Sequence, residues 1–333
     1  MGKSSVDSSQ KSVDGERLEL LARIAELYYQ DRLTQEQIAT QTGYSRSMVS
    51  RLLTEARDQN VVEIRINHPL ERRRDLEETL RALLDLKAVQ VLARGALSYP
   101  HMLRRLGSLA ARFLEELLFD NVTIGVSWGT AISETINALR PRSRTGLHVV
   151  QMIGSLGSPD PDIDGSELSR RLARTLAGQY TTFPVPLFVD SEATRQALMS
   201  DTRVQRVVER FKEVDLALLG VGTIEPERSS LLRGNYLSEA QLGELQRAGA
   251  VGDVAVIHFD LQGRLVDIPL ARQVMGIDPE TLVQRPLRLG VAGGQYKSKP
   301  ILGASRAKFI NMLVTDEVAA NGVIQLLRSE GRA

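Results

Sequence analysis

The chain has 333 residues, of which 42% are apolar and 25% are charged. This composition is ordinary for a globular protein, and the length is sufficient for two domains. The 42 Lys and Arg residues nearly balance the 41 Asp and Glu residues, so the net charge indicates no class of partner. Because cysteine is absent, disulfides, thiolate catalysis and cysteine-based zinc sites are excluded. The sequence contains no apolar run of 18 residues, so we expect no transmembrane helix.

The first predicted elements are a tail and a helix. Residues 1–15 are polar, rich in serine and without the apolar core of a signal peptide, so we predict a disordered tail. Apolar residues then recur at helical spacing, which predicts a helix over about residues 16–30. These residues are Leu20, Leu21, Ile24, Leu27 and Tyr28.

A short helix, a glycine turn and a longer helix are predicted next. Thr34 followed by Gln37 matches a capping box, which starts the second helix. Gly43 can supply the positive φ of a tight turn, and Ser45 can cap the third helix. The apolar stripe of that helix is Val49, Leu52, Leu53 and Ala56. The arrangement is typical of a helix-turn-helix domain, which we assign to residues 16–67. The alternating segment VVEIRI at 61–66 predicts a strand that could form a wing.

Four polar residues of the third helix lie off its apolar stripe and are the candidate DNA contacts. They are Arg46, Ser47, Ser50 and Arg51. Hydroxyls and cations at the start of a recognition helix suit base edges and phosphates. Residues 1–88, however, contain 14 basic and 15 acidic residues, whereas DNA-binding domains usually carry a basic footprint. An ordinary helical hairpin with a solvated face is therefore the alternative, and specific DNA binding would need an oligomer.

Residues 68–87 form a predicted linker helix. Leucines recur on one face of it, at Leu76, Leu80, Leu83 and Leu84. This stripe suits packing on the chain's own body and pairing with a second chain equally well. Both alternatives stay open.

Strand-like and helical segments alternate over residues 88–333. This order predicts a Rossmann-like α/β domain with a mainly parallel sheet and helices on both faces. One predicted strand is the run GDVAVIHF at 252–259. Ligands of such sheets bind beyond the carboxyl ends of the strands. Four strand ends run into loops of small residues that can approach an anion, although glycine also ends strands where no ligand binds. The loops are 125–130, 154–158, 220–223 and 292–297.

The first of these loops contains the pattern G-x-S-x-G, with serine at Ser127. This is also the pattern of a hydrolase nucleophile elbow, which needs His and Asp partners later in the chain. Only His148 and His258 follow, and His258 lies within an apolar strand pattern. We therefore expect Ser127 to bind a ligand and not to attack one. The four histidines do not cluster, and the acidic segment 159–167 lacks the spacing of a calcium loop, so we expect no metal site and no cofactor.

Five segments, in this order, make the chain resemble the SorC-type sugar-binding transcriptional regulators. They are LTQEQIATQTGYSRSMVSRLLTEAR, IGVSWGTAI, GAVGDVAVIHFDLQGR, VAGGQYKSKPILGA and INMLVTDEVAA. The resemblance implies a helix-turn-helix domain joined to an effector domain related to sugar-phosphate isomerases and glucosamine-phosphate deaminases. It also implies a phosphorylated sugar or related carbohydrate as ligand, dimers or tetramers, and an affinity for operator DNA that changes with the ligand.

The resemblance further implies a set of effector contacts. They are Gly125, Ser127, Gly129, Thr130, Gly222, Thr223, Asp253, Gly293, Gly294 and Lys297. Asp253 would accept hydrogen bonds from sugar hydroxyls, and Lys297 would lie near the phosphate. For Trp128, which matches the family's tryptophan, we expect packing.

We therefore predict a cytoplasmic, homo-oligomeric DNA-binding regulator that is not an enzyme and whose effector is a small carbohydrate, in particular a sugar phosphate. The alternative is a sugar-phosphate isomerase or deaminase-like enzyme with an appended helix-turn-helix. Such an enzyme would need a general base, and apart from Asp253 no histidine or carboxylate cluster marks the strand-end loops. A third hypothesis is a DNA-binding scaffold whose pocket binds nothing.

Overall fold

The computed structural model describes residues 6–59, 61–62, 70–141, 144–155, 157 and 163–331. The chain divides into two compact units, Met1–His68 and Pro69–Ala333. The predicted linker segment 68–87 therefore falls almost entirely within the second unit.

Three helices form the described part of the first unit: α1 Val6–Tyr29, α2 Gln35–Thr42 and α3 Arg46–Asp58. α1 begins at Val6 and so includes residues 6–15 of the predicted disordered tail, where no proline interrupts the helix. Residues 1–5 of the predicted tail lie outside the described residues, as do residues 63–66 of the predicted wing. The core of the unit consists of Leu21, Ile24, Ala25, Ile38, Val49, Leu52, Leu53 and Ala56.

The predicted caps of the helix-turn-helix are confirmed. The Thr34 side chain accepts a hydrogen bond from the Gln37 backbone in a complete capping box. Gly43 adopts φ 76° and donates its N–H to the Ala39 carbonyl, which ends α2 and reverses the chain. The Ser45 side chain caps α3 by accepting from the backbone N–H of Met48 at 3.2 Å.

The second unit alternates strands and helices. Its strands are β1 Ala88–Leu92, β2 Thr123–Val126, β3 His148–Gln151, β4 Gln179–Thr181, β5 Leu216–Gly220, β6 Ala250–Val254, β7 Ile257–Asp260, β8 Leu287–Val291 and β9 Met312–Asp316. Its helices are α4 Arg74–Leu83, α5 Tyr99–Leu117, α6 Thr130–Ala138, α7 Gly165–Thr175, α8 Glu192–Met199, α9 Thr202–Phe211, α10 Ser230–Arg233, α11 Glu239–Arg247, α12 Pro279–Val283, α13 Ser298–Arg306 and α14 Glu317–Ser329.

Seven of these strands form one sheet in the order β1-β9-β8-β5-β2-β3-β4. All of its described pairings are parallel. Successive residues of β5 belong to different apolar cores, with Leu216 and Leu218 in one and Ala217 and Leu219 in the other. Both faces of the sheet are therefore covered, as parallel sheets require, and the predicted α/β class is confirmed.

The predicted single strand at 252–259 is wrong. The segment is an antiparallel hairpin of β6 and β7 that stands apart from the seven-stranded sheet. Ala255 and Val256 form its turn with φ values of 51° and 64°. Positive φ at both turn residues matches the twist of a two-residue hairpin, but neither residue type indicates such a turn in the sequence.

α4 packs within the second unit. Leu80 is fully buried and Leu76 nearly so, both in the core that also holds Val89 and Val91 of β1. The buried Glu77 accepts two hydrogen bonds at 2.7 Å from Arg72 and one at 2.9 Å from the backbone of Val91. The leucine stripe thus packs on the chain's own body, which is one of the two alternatives for it.

Candidate functional site

Three adjacent strands in the middle of the sheet, β8, β5 and β2, end at the same edge. After β2 the chain passes through α6 to β3 on one side, whereas after β5 it leads to β8 on the other side. Connections that leave neighbouring strands in opposite directions open a crevice, where open α/β sheets bind ligands. The fold therefore places a candidate binding site between the ends of β2 and β5.

A cavity with a free volume of about 60 Å³ lies at this crevice. Seven of the ten predicted effector contacts line it: Gly129, Thr130, Gly222, Thr223, Asp253, Gly293 and Lys297. Gly294 lines an adjoining cavity of about 110 Å³, which shares Gly293 and Lys297 with the first. Loops from three strand ends and the β6–β7 hairpin thus converge on one place.

Lys297 supplies positive charge to this cavity. Its Nζ donates a hydrogen bond to the carbonyl of Val221 at 2.7 Å. Desolvation by the surrounding protein lowers the pKa of Lys297 to about 8, and the nearby Asp253 carboxylate opposes this shift. The amine is therefore mostly protonated at neutral pH but titrates much closer to it than an ordinary lysine.

Asp253 supplies a buried carboxylate, and the hairpin turn holds it in place. Its Oδ2 accepts a hydrogen bond from the backbone N–H of Val256 at 3.1 Å, and its backbone carbonyl accepts one from Gly222 at 2.8 Å. A Cβ atom at position 222 would lie 1.8 Å from Asp253 Oδ1, so only glycine fits beside this carboxylate.

Two arginines and a tyrosine of the cavity were missed in the sequence analysis. Arg228, Arg233 and Tyr99 all line it. The Arg228 guanidinium stacks over the Tyr99 ring, 4.5 Å from its centroid, a favourable cation–π contact. Burial raises the pKa of the Tyr99 hydroxyl, and the two arginines oppose this shift. The available signal was the segment PERSSLLRGNY after β5, with two arginines among small polar residues.

Trp128 packs and also lines the cavity. It is 7% exposed, and its ring meets that of Tyr236 edge to face with centroids 6.2 Å apart. Trp128 therefore packs, as we expect from the sequence, and also forms part of the cavity wall.

Gly125 and Ser127 do not line the cavity. Ser127 is fully buried, and its Oγ donates to the Leu218 carbonyl at 3.3 Å and accepts from the Gly220 N–H at 3.1 Å. Gly125 lies within β2, where an added Cβ would lie 2.4 Å from the sulfur of Met152. Both residues hold β2 against its neighbours, because Ser127 ties it to β5 and Gly125 makes room for Met152. In this structure Gly125 and Ser127, both predicted as ligand contacts, therefore lie behind the cavity wall, and the Ser127 hydroxyl is engaged with β5.

The candidate DNA contacts share one surface of the first unit. Arg46, Ser47, Ser50 and Arg51 are all exposed on α3, whereas Val49 on the same helix is buried. The first acidic residue after this stretch, Glu55, is paired with Arg17, whose Nε donates to its Oε1 at 2.9 Å. This hydrogen bond lowers the pKa of Glu55, and the pairing offsets the nearest negative charge on α3.

The described residues contain no group of three or more metal-ligating side chains that could hold an ion. None of the helices in the described ranges is long and apolar enough to cross a membrane.

Comparison with known proteins identifies the family. Residues 68–325 match the Sugar-bind family model of sugar-binding domains. The transcriptional regulator LsrR of Klebsiella pneumoniae subsp. pneumoniae is 34% identical over 92% of this chain and 93% of its own. This chain belongs to the SorC-type sugar-binding transcriptional regulators.

Two further relatives match this regulator over nearly their whole length. The deoxyribonucleoside regulator of Bacillus subtilis (strain 168) is 28% identical over 94% of this chain and 99% of its own. The crystal structure of the full-length sorbitol operon regulator SorC from Klebsiella pneumoniae has 29% identity, a TM-score of 0.70, and covers 93% of this chain and 99% of that one. The resemblance predicted from the five sequence segments is thus confirmed.

Proposed function

We propose that this SorC-type regulator binds a phosphorylated sugar in the cavity between β2 and β5, does not convert it chemically, and binds operator DNA through α3. The observation that carries the proposal is the charge pattern of the cavity. Lys297, Arg228 and Arg233 surround it together with one buried carboxylate, Asp253. Cations suit an anionic group, and a carboxylate accepts hydrogen bonds from hydroxyls.

The backbone adds to this pattern at the start of α6. Gly129, Thr130 and Ala131 line the cavity where the helix begins. The first N–H groups of a helix have no partner within it and carry partial positive charge, which favours a phosphate. We therefore place the phosphate between the start of α6 and the cationic side chains, and the sugar hydroxyls towards Asp253. The names of the sorbitol operon regulator and the deoxyribonucleoside regulator support a carbohydrate-derived ligand.

The space open to the ligand extends beyond one cavity. The cavities of about 60 Å³ and about 110 Å³ lie side by side and share Gly293 and Lys297. The Arg228–Tyr99 stack lines both adjoining cavities, so its opening would join them. We infer that the ligand displaces this stack.

An enzyme would need a general acid or base at the same place. No histidine is among the described residues that line the cavity, and Asp253 is engaged by the Val256 backbone. Lys297, with its pKa of about 8, is the remaining candidate. The absence of a histidine among these residues favours a binding site, and the turnover assay described below tests Lys297 as a general base.

Operator binding is proposed to require two or more copies of the chain in the cytoplasm. Residues 1–88 carry one more acidic than basic residue, so one copy contributes few phosphate contacts. Two recognition helices would double those contacts and read half-sites one helical turn apart, or a multiple of it.

The test is a thermal-shift screen of sugar phosphates and their unphosphorylated forms, followed by a turnover assay on each hit. A ligand at a hundredfold excess over its Kd stabilises the folded state by about 2.7 kcal/mol. A phosphorylated sugar that stabilises the protein, remains unchanged and alters operator binding supports the proposal. Turnover of the hit supports the enzyme instead, and the absence of any hit supports the scaffold with an empty pocket.

A further inference from the structure

A groove with a free volume of about 750 Å³ lies at the edge of the sheet where the strands begin. Its wall contains residues 83–87, which lead into β1, Ile310 and Asn311, which lead into β9, and Arg288 at the start of β8. Because these three strands are parallel neighbours, their amino ends meet at one edge. The volume is in the range of pockets that bury small molecules, so the groove has room for side chains from outside.

The groove combines leucines with an excess of positive charge. Leu83 and Leu84 are half-buried in its wall. Among its described lining residues, the cations are Lys87, Arg288, Arg306 and Lys308, and Asp85 is the one acid. Glu330 pairs with Arg306 at 3.2 Å. Three cations of the wall therefore face one acid.

Carbonyl groups hold two of these cations. Lys87 Nζ donates to the Pro286 carbonyl at 3.0 Å, and Arg288 Nε donates to the Lys308 carbonyl at 3.0 Å. Burial lowers the pKa of Arg288, and the neighbouring Arg285 lowers it further. Carbonyl oxygens only partly offset the cost of taking a cation out of water. The groove therefore favours an acidic group that a partner brings to it.

The same chain exposes an acidic and apolar segment at the same edge of the sheet. Phe119 is 48% exposed, and Glu116 and Asp120 beside it are also exposed. The segment EELLFD at 115–120 contains three acids and no cation. It leads into β2, which runs parallel to the strands above the groove. We call Glu116, Phe119 and Asp120 the acidic knob.

We propose that the groove binds the acidic knob of a second copy of this chain, in a two-fold contact in which each copy places its Phe119 against the leucines of the other. The acids of the knob then face Lys87 and Lys308. Because knob and groove lie at one edge of the sheet, a single two-fold axis can engage both at once, and such a contact closes on itself.

This contact leaves the opposite edge of the sheet free, where the cavity between β2 and β5 lies. The inference adds to the proposed function a surface through which two copies meet. It can fail while effector binding and operator binding stand, because neither the knob nor the groove contains a residue that lines that cavity or a candidate DNA contact.

Cross-linking tests the contact in a chain that contains no cysteine of its own. Full-length Glu116→Cys protein is co-expressed with a tagged Lys87→Cys protein, and a short bismaleimide is added. We expect a cross-linked product that contains one copy of each. Tyr180→Cys, at a residue that is 45% exposed on β4, replaces Glu116→Cys as the matched control and should give only a trace. The absence of the mixed product, or an equal amount with the control, overturns the proposal.

Charge reversal tests the same contact in solution. Glu116→Lys with Asp120→Lys reverses the knob, and Lys87→Glu with Lys308→Glu reverses the groove. Like charges that face each other across an interface are strongly unfavourable, so each pair should weaken association in sedimentation velocity by about tenfold or more. All four changes together should restore association, since opposite charges face each other again, and misfolding cannot produce this rescue.

Two results of the sedimentation experiment contradict the contact. One is native association in both reversed proteins, including the case in which the groove variant loses a thermal shift with pyrophosphate, because the groove then takes a small anion. The other is a variant with all four changes that unfolds thermally like the native protein and still does not associate. The cross-linking test carries only single changes at exposed residues, so it stands even if the variant with all four changes fails to fold.

Discussion

Replacing Lys297 with methionine directly tests the charge of the cavity between β2 and β5, which we call the effector cavity. Methionine is unbranched and extends as far as the Cε position of lysine, so it removes the ammonium group and little else. The ammonium group lies where loops from β5 and β8 meet, bonded to the Val221 carbonyl at 2.7 Å. A hydrogen bond to a charged group contributes about 1.5–3 kcal/mol. The Kd for a phosphorylated sugar should therefore rise by roughly tenfold to about 150-fold, whereas that for the unphosphorylated sugar should change little.

The affinity for the phosphorylated sugar should also depend on pH, by an amount that follows from the pKa of Lys297. Because desolvation lowers the pKa of Lys297 to about 8, the side chain is about nine-tenths protonated at pH 7 and about one-tenth protonated at pH 9. A phosphate has its second pKa near 6, so its charge does not change in this window. Only the charged amine favours the anion, so the native affinity should fall about tenfold between pH 7 and pH 9. The affinity of Lys297→Met should stay nearly constant.

The assay is isothermal titration with the phosphorylated and unphosphorylated forms of a hit from the screen, at both pH values. Lys299→Met is the matched control, because Lys299 is exposed two residues away and does not line the effector cavity. Thermal unfolding without ligand checks that the variants fold. The assignment of Lys297 is refuted if its replacement weakens both forms equally, or if the Lys299 control weakens binding as much.

Three further predictions concern the DNA face, the glycine beside Asp253 and the assembly. Arg46→Ala and Arg51→Ala should each weaken operator binding in a gel-shift titration, by about 1–3 kcal/mol for an arginine that reads a base. Arg57→Ala, in the last turn of α3, is the control. An unchanged affinity in both the Arg46 and the Arg51 variant contradicts the DNA assignment. Gly222→Ala should abolish effector binding, because the new methyl would lie 1.8 Å from Asp253 Oδ1; calorimetry that shows native affinity argues against Asp253 as a contact. Light scattering should show a dimer or larger assembly at micromolar concentration, and a monomer that binds operator tightly would contradict the need for two copies.

Features that depend on neighbouring residues were the ones that the sequence predicted well. The capping box of Thr34 and Gln37, the turn at Gly43 and the cap at Ser45 involve residues only a few positions apart. Each is a hydrogen bond or a backbone angle that local residue types specify. Six of the seven strands of the sheet also coincide with short apolar runs, because both faces of a parallel sheet are buried. The exception is β4, Gln179–Thr181, which has no such run.

Features that depend on distant contacts could not be predicted in this way. Ser127 lies in a glycine-rich loop pattern, but its hydroxyl is bonded to β5, about ninety residues later. Arg228 and Tyr99 join the cavity only because the fold brings α5 beside the segment after β5. The turn at Ala255 and Val256 lacks the glycine or asparagine that usually marks one, so the sequence pattern predicts a single strand there.

That turn also bears on any attempt to engineer this regulator for higher stability. A β-branched residue at positive φ is a genuine outlier, and such a conformation costs about 1–3 kcal/mol. A designer guided by turn statistics would replace Ala255 and Val256 with asparagine and glycine, and would expect a more stable hairpin. The exchange would keep the backbone N–H that holds Asp253, but it would remove the isopropyl group that Val256 contributes to a cavity of about 280 Å³ beside the hairpin. A more heat-resistant turn would therefore come with a changed cavity wall, a consequence that turn statistics alone do not show.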